Sequence, residues 1–300
     1  MKNLIGFEKE LDLLVSNYNN NNCHTSIIFH GPKGIGKRTF VNTFVSKIIK
    51  INTNNKNYNH HVNLFNNESH PNIKIIKKDE DPKTKKLKSN INIDQIRNLK
   101  KFITSTSSIP NFNKIIIVDS CDDLNLNAAN SFLKSLEEPN INTYIFLISH
   151  QLSSLLPTVR SRCLKIKLNI HNYNNFKNIL CNEINSIDED DIKFYYDITT
   201  GSPGSAIELY DNKIKDVFQL TIDCLYKNKF KNNMHLSNLL SDFDNDKFKS
   251  YLSILKTILV TLNKIKTNNT DTFNFISDKF KILHELSTLI SKKNIIDRFE

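Results

Sequence analysis

Residues 26–50 read SIIFHGPKGIGKRTFVNTFVSKIIK, and this stretch decides the fold. Ser26–Phe29 is a short apolar run of strand type, and His30-Gly31-Pro32-Lys33-Gly34-Ile35-Gly36-Lys37 is a glycine-rich turn. From Arg38 to Lys50, the residues Phe40, Phe44, Val45 and Ile48 recur on one helical face. Strand, glycine loop and helix in this order form a phosphate-binding loop, Gly31-x-x-x-x-Gly36-Lys37. Glycines let backbone N–H groups turn inward around phosphate oxygens, and the helix N-terminus adds positive potential. Lys37 is spaced to reach the β- and γ-phosphates. The pattern breaks at its last position, where Ser or Thr ordinarily holds Mg²⁺. Arg38 stands there, and Thr39 follows one residue late. Gly31, Gly34, Gly36, Lys37, Arg38 and Thr39 are the candidate nucleotide-binding residues.

The flanking sequence continues the alternation. Phe7, Leu11, Leu14 and Val15 give a helix over 7–17, and Ile93–Thr104 is helical in pattern. Lys114–Asp119 (KIIIVD) is a continuous apolar run ending in an acid, as in a buried parallel strand. Asn127–Glu138 is an amphipathic helix stopped by Pro139; Tyr144–Ile148 is a second buried strand, and Leu164–Leu168 alternates like a strand with one wet face. The Asn- and Lys-rich stretches 51–63 and 77–90 read as surface loops, with DPKTKKLKSN a solvated hairpin tip or insertion. Alternating strands and helices predict an α/β parallel sheet over 1–168. Beyond His171 only helical periodicity remains, broken at Gly201-Ser202-Pro203-Gly204 and resumed over 213–226, 246–264 and 272–292. The expected organisation is a nucleotide-binding domain (1–168), a small helical lid (169–210) and an all-helical C-terminal domain (211–300).

Asp119 ends its strand where a second, metal-contacting acid accompanies a phosphate-binding loop, although a strand simply ending in a solvated Asp gives the same letters. The next residue, Ser120, cannot serve as the base that orients an attacking water. Asp122 and Asp123 are close, but their offset aims them from the start of the following turn.

Composition bounds the remainder. The 300 residues are 39% hydrophobic and 24% charged, a globular balance. No window supplies the roughly 18 apolar residues of a membrane span, and the acid-bearing start MKNLIGFEKELDLL reads as neither signal nor transit peptide. A cytosolic protein is expected. The five cysteines are dispersed and form no CxxC pair, while His60, His61 and His70 read as a solvated loop, so no protein-ligated metal and no zinc are expected. The net charge of +10 fits either a nucleic-acid or acidic partner or the Lys- and Asn-rich drift of an AT-rich genome. Only five of the 41 basic residues are Arg, so each marks a place where fork geometry or permanent charge is useful.

The segments VDSCDDLNLNAANSFLKSLEEPN (118–140), TYIFLISH (143–150) and LLPTVRSRCLKIKL (155–168), behind the glycine loop, closely resemble the clamp-loader branch of the AAA+ proteins. Leu136-Glu137-Glu138-Pro139 and Ser161-Arg162-Cys163 are the telling pieces, and Gly201–Ala206 matches the family's lid segment. Within that branch, VDS in place of VDE and the weakened glycine loop look most like delta-prime subunits of bacterial DNA polymerase III. The resemblance covers about residues 4–168 and the lid segment; the last third rests on helical character alone.

The resemblance implies a hetero-oligomeric ring with gamma/tau and delta subunits. That assembly opens the sliding clamp and sets it on primer–template DNA, as part of a nucleotidyltransferase holoenzyme in the bacterial cytoplasm. Residues 211–300 would then form a collar with partner subunits. Arg162 matches the arginine that reaches into a neighbouring subunit's ATP site; a surface salt bridge is its other reading, and Arg160 either assists or packs. ATP, with Mg²⁺ accompanying the nucleotide only, is the cofactor expected at Gly31–Thr39 and Asp119. Three departures point to a subunit that does not hydrolyse ATP itself: Arg38 for the metal-binding hydroxyl, Ser120 for the catalytic acid, and Gly204-Ser205 where motor subunits carry a lid arginine. An ATP-hydrolysing gamma-type motor subunit is the alternative.

Overall fold

The computed structural model describes residues 4–215 except 54–56, 83, 106, 110, 111 and 141, and beyond them only 217, 220, 236, 238–241, 243, 247, 248, 251, 252 and 255. Most of the expected C-terminal domain, including the helical pattern over 272–292 and the greater part of that over 246–264, therefore lies outside the described residues. The chain divides into two compact units, residues 1–179 and 180–300.

The first unit is built on five parallel strands: β1 (Ser26–His30), β2 (Ile73–Ile76), β3 (Lys114–Asp119), β4 (Thr143–Ser149) and β5 (Leu164–Lys167). Their spatial order is β2-β3-β4-β1-β5. Register runs Ser26 to Ile145 and Lys114 to Thr143, so the carboxyl ends of β1, β3 and β4 finish level with one another. Helices α1 (Glu8–Asn19), α2 (Lys37–Asn52) and α3 (Tyr58–Asn66) lie on one side of the sheet, and α4 (Ile93–Thr104), α5 (Leu126–Glu137) and the short α6 (Pro157–Ser161) on the other.

Alternate side chains of each inner strand serve the two faces, which is why these strands read as unbroken apolar runs. Phe29, Ile115, Ile117, Phe146 and Ile148 pack under α1–α3, around aromatic contacts of Phe146 with Phe29 at 5.9 Å and Phe44 at 5.4 Å. Ile28, Ile116, Val118, Ile145 and Leu147 pack against Ile96, Leu99, Phe132 and Leu136 of α4 and α5. The parallel-sheet α/β domain expected from the sequence is the domain observed.

Some local expectations are corrected. The stretch 51–63 is mostly helical among its described residues: α2 continues to Asn52 and α3 occupies Tyr58–Asn66, its Asn-rich composition hiding one buried anchor, Phe65. His60 and His61 lie on α3, and His70 is only 4% exposed. Its Nδ1 accepts from the Asn72 N–H at 3.1 Å, its Nε2 lies 3.2 Å from His61 Nδ1, and its ring sits 4.8 Å from Phe112. His70 is thus packed rather than in a solvated loop, while His60 is exposed on α3. β2 is a four-residue strand at one sheet edge. β5, at the other edge, is wet along most of its length rather than alternating; its neighbours Cys163 and Leu168 supply the burial. Helices α7 (Tyr173–Glu183), α8 (Glu189–Thr199) and α9 (Pro203–Asp211) follow the sheet.

Candidate functional site

The glycine loop joins the carboxyl end of β1 to α2. Gly31 is required by crowding: a Cβ there would overlap the Leu168 carbonyl oxygen and lie 2.8 Å from Ile35 Cδ1. Gly36 is required by conformation, since it starts α2 with φ 91°, in the left-handed region. Gly34 has φ 82° in the turn between them.

Lys37 is only 3% exposed, and its ammonium donates to the carbonyls of Gly31 at 2.7 Å and Pro32 at 2.6 Å. Burial lowers its pKa to about 8, against the opposing pull of Asp122 and Asp119. The loop is thus closed on its own lysine. His30 and His150, at the ends of β1 and β4, are both held below the ordinary imidazole range. Burial is the larger cause in each, followed by Lys167 and Lys37 for His30 and by Lys37 for His150. Both imidazoles are thus kept from protonating beside the buried Lys37 ammonium.

Arg38 and Asp119 meet across this mouth. Arg38 Nη1 lies 3.2 Å from Asp119 Oδ2, each side chain 29% exposed. These are the two positions from which a phosphate-binding fold ordinarily holds a divalent ion. Here a guanidinium faces the carboxylate in place of a hydroxyl. Thr39 sits one residue further along α2, where its carbonyl accepts from the Thr43 hydroxyl at 2.8 Å. The residues present do not fit Mg²⁺, because the arginine supplies the positive charge that the ion would bring.

Beside them, Ser120 donates to Asp122 Oδ2 at 2.7 Å, which also accepts from the His150 N–H at 2.6 Å. Asp122 Oδ1 accepts from the hydroxyls of Ser149 (2.8 Å) and Ser154 (3.0 Å) and from the Gln151 N–H (3.3 Å). Burial alone pushes this carboxyl up. The His150 amide and the three hydroxyls together outweigh it and hold it below the usual carboxylate range. Asp122 therefore staples the end of β3 to the end of β4 rather than orienting water. Asp123 points elsewhere, to Lys78 Nζ at 2.8 Å.

Arg162 caps α6, away from the glycine loop in sequence. Its Nε and Nη2 both bond Glu137 Oε1, and Nη1 donates to the Thr158 carbonyl at 2.8 Å. Glu137 is the last residue of α5, so the two motifs read separately from the sequence are one side-chain pair. The neighbouring Cys163 is buried, with its thiol pushed up to about 12 by that burial. It packs in the same core as Cys121. The Ser-Arg-Cys triplet thus anchors by its cysteine and shows its arginine. Arg160 is half-buried, its Nε among the buried atoms without a hydrogen-bond partner.

Residues 6–172, more than half of the chain, match the family described as DNA polymerase III, delta subunit. The chain belongs to this family. A DNA polymerase III subunit delta' of Pseudomonas aeruginosa is 33% identical over 141 residues, 46% of this chain and 41% of that protein. A subunit delta' of Buchnera aphidicola subsp. Baizongia pistaciae is 26% identical over 279 residues, 90% of this chain and 76% of its own. A DNA polymerase III subunit gamma of Buchnera aphidicola subsp. Schizaphis graminum is 27% identical over 219 residues, covering 69% and 56%. The chain spans about half the length of the first of these curated relatives, 41% for the Pseudomonas protein and 56% for the gamma subunit.

In this DNA polymerase III delta-family chain, Gly31, Gly34, Gly36, Lys37, Arg38 and Asp119 converge at the carboxyl ends of β1 and β3. Thr39 stands half-buried one step along α2, and Arg162 is elsewhere on the same unit. Sequence reasoning named Asp122 and Glu137 without giving either a role, and it missed Ser149. The signals were present: two acids one residue beyond Val118-Asp119-Ser120, a hydroxyl at the end of the IFLIS run of β4, and a carboxylate closing a helix.

Proposed function

We propose that this chain is a clamp-loader subunit of the delta-prime type, working in a hetero-oligomeric ring with gamma/tau and delta subunits in the bacterial cytoplasm. The ring places a sliding clamp on primer–template DNA. This subunit does not hydrolyse ATP, and it lends Arg162 to the ATP site of a neighbour. The observation that carries the reading is the Arg38–Asp119 pair, which sets a fixed organic cation where turnover needs an exchangeable divalent one. Ser120 and Asp122 support it: the serine is no base, and the acid nearest to it is saturated by five donors. Lys37, bonded to Gly31 and Pro32, must leave both carbonyls before it can meet a phosphate. A guanidinium suits the finger role, being permanently charged and able to bind phosphate oxygens in pairs.

Two measurements test this. Purified chain alone is expected to show no ATP turnover above background; hydrolysis that disappears in Lys37→Ala would establish a motor subunit instead. In the complex reconstituted with gamma/tau and delta, Arg162→Ala is expected to preserve assembly and lower DNA-stimulated ATPase. Unchanged ATPase in that variant refutes the finger.

A further inference from the structure

The ion pair between Arg162 and Glu137 has a directional consequence. A guanidinium carries five N–H donors in a rigid plane. Glu137 Oε1 takes one from Nε and one from Nη2, and the Thr158 carbonyl takes one from Nη1. Nη1 also donates to the Ser161 hydroxyl at 3.4 Å, so what remains is one N–H on Nη2, directed to the end of the fork away from Glu137. The side edge of the fork is held within the chain, and its Nη2 end, beside the long and exchangeable Ser161 bond, is left for a partner.

Three further observations favour a role for Glu137 beyond stability. It is the last residue of α5, where a carboxylate has the wrong sign for the helix macrodipole. The pair is partly open to solvent, Arg162 30% and Glu137 44% exposed, so it adds little to folding. It also joins two elements, α5 and the end of α6, that belong to the same rigid core through Leu136 and Val159.

We infer that Glu137 is a positioning residue for the trans-acting arginine: it holds the Nε–Nη2 edge of Arg162 so that the end edge is pre-aimed at the terminal phosphate of a nucleotide on the adjacent subunit. This rests on the finger reading proposed above. Preorientation acts on the transition state, because an unheld arginine has to be ordered at the moment of reaction. The positioning residue therefore governs kcat more than KM.

The test is steady-state, DNA-stimulated ATPase of the reconstituted complex carrying Glu137→Ala, Glu137→Gln, Arg162→Ala or the Glu137→Ala/Arg162→Ala double substitution. Glu137→Ala is expected to lower kcat about tenfold while KM for ATP stays within about twofold. Glu137→Gln, which keeps one acceptor for Nε, is expected to recover part of that loss. In the Arg162→Ala background, Glu137→Ala is expected to add nothing, since it acts only through the arginine. The inference is overturned if Glu137→Ala leaves kcat unchanged although Arg162→Ala lowers it, or if the Glu137→Ala loss persists undiminished without Arg162. Failure of Arg162→Ala itself to lower ATPase is a separate result; it removes the finger, and the positioning role with it.

Discussion

Replacing Asp122 by asparagine keeps its shape and removes one charge and one acceptor. The oxygens at stake receive one backbone N–H each, from His150 at 2.6 Å on Oδ2 and from Gln151 at 3.3 Å on Oδ1. Whichever oxygen becomes the amide NH₂, it faces a backbone donor that cannot rotate away, whereas the hydroxyls of Ser120, Ser149 and Ser154 can turn. The loss is a charge-assisted hydrogen bond plus an unsatisfied amide, about 3 kcal/mol together. For a domain of this size that is a fall in Tm of about 6–12 °C. Thermal unfolding followed by circular dichroism measures it, with Asp123→Asn as the matched control. Asp123 holds only the half-exposed Lys78, so its substitution is expected to cost about 1 kcal/mol or less. The pH dependence has a definite sign. Because the folded Asp122 carboxyl lies below its usual range, its stabilisation is complete above the ordinary carboxylate pKa and disappears as pH falls through the lowered value. Asp122→Asn removes that acid limb. Equal costs at positions 122 and 123, or an Asp122→Asn within 1 kcal/mol of the parent, refute the staple.

His70 is pushed down to about 4 by burial and then by His61 and His60. Between that value and the ordinary 6.5 the unfolded chain binds a proton that the folded chain refuses, so stability rises with pH across the window and is flat above it. Imidazole NMR titration is expected to show His70 neutral down to about pH 4 and protonated on Nε2, since Nδ1 accepts from Asn72; a titration near 6.5 contradicts the packed arrangement. At the glycine loop, Gly31→Ala is expected to cost about 1–3 kcal/mol by steric conflict with Leu168. Gly36→Ala is expected to cost about 1–2 kcal/mol through its left-handed backbone alone. Denaturant unfolding of the two variants compares these costs.

Much of the sheet domain is legible in the letters, for local reasons. Ile93–Thr104 and Lys114–Asp119 are recovered to the residue because a 3.6-residue apolar stripe and an unbroken apolar run have few competing explanations. α3 is not, because Tyr58–Asn66 carries Asn and His where a stripe would show, and only Phe65 is buried. β2 is four residues of an edge strand, too short for any period to declare itself. The glycine loop, Asp119 and Arg162 follow from residue order. Their partners do not, since those bonds connect distant parts of the chain. Asp122 is completed by donors at 149–154, and Glu137 meets Arg162 only once α5 and α6 pack together. Lys37 turning back on Gly31 and Pro32 is likewise a property of the closed loop, invisible to a motif that encodes only what the lysine can reach.

The pairing of Arg38 with Asp119 also constrains the substitutions open to this chain. Placing a hydroxyl at position 38 alone strips Asp119 of its cation and still leaves serine at 120. Placing an acid at 120 alone sets it beside an arginine that occupies the metal's position. On the proposed reading neither single substitution is expected to create ATP turnover, and the first also costs the ion pair. Positions 38 and 119 are therefore coupled: a change at either acts on the other through the ion pair, and only a joint change avoids stranding one charge.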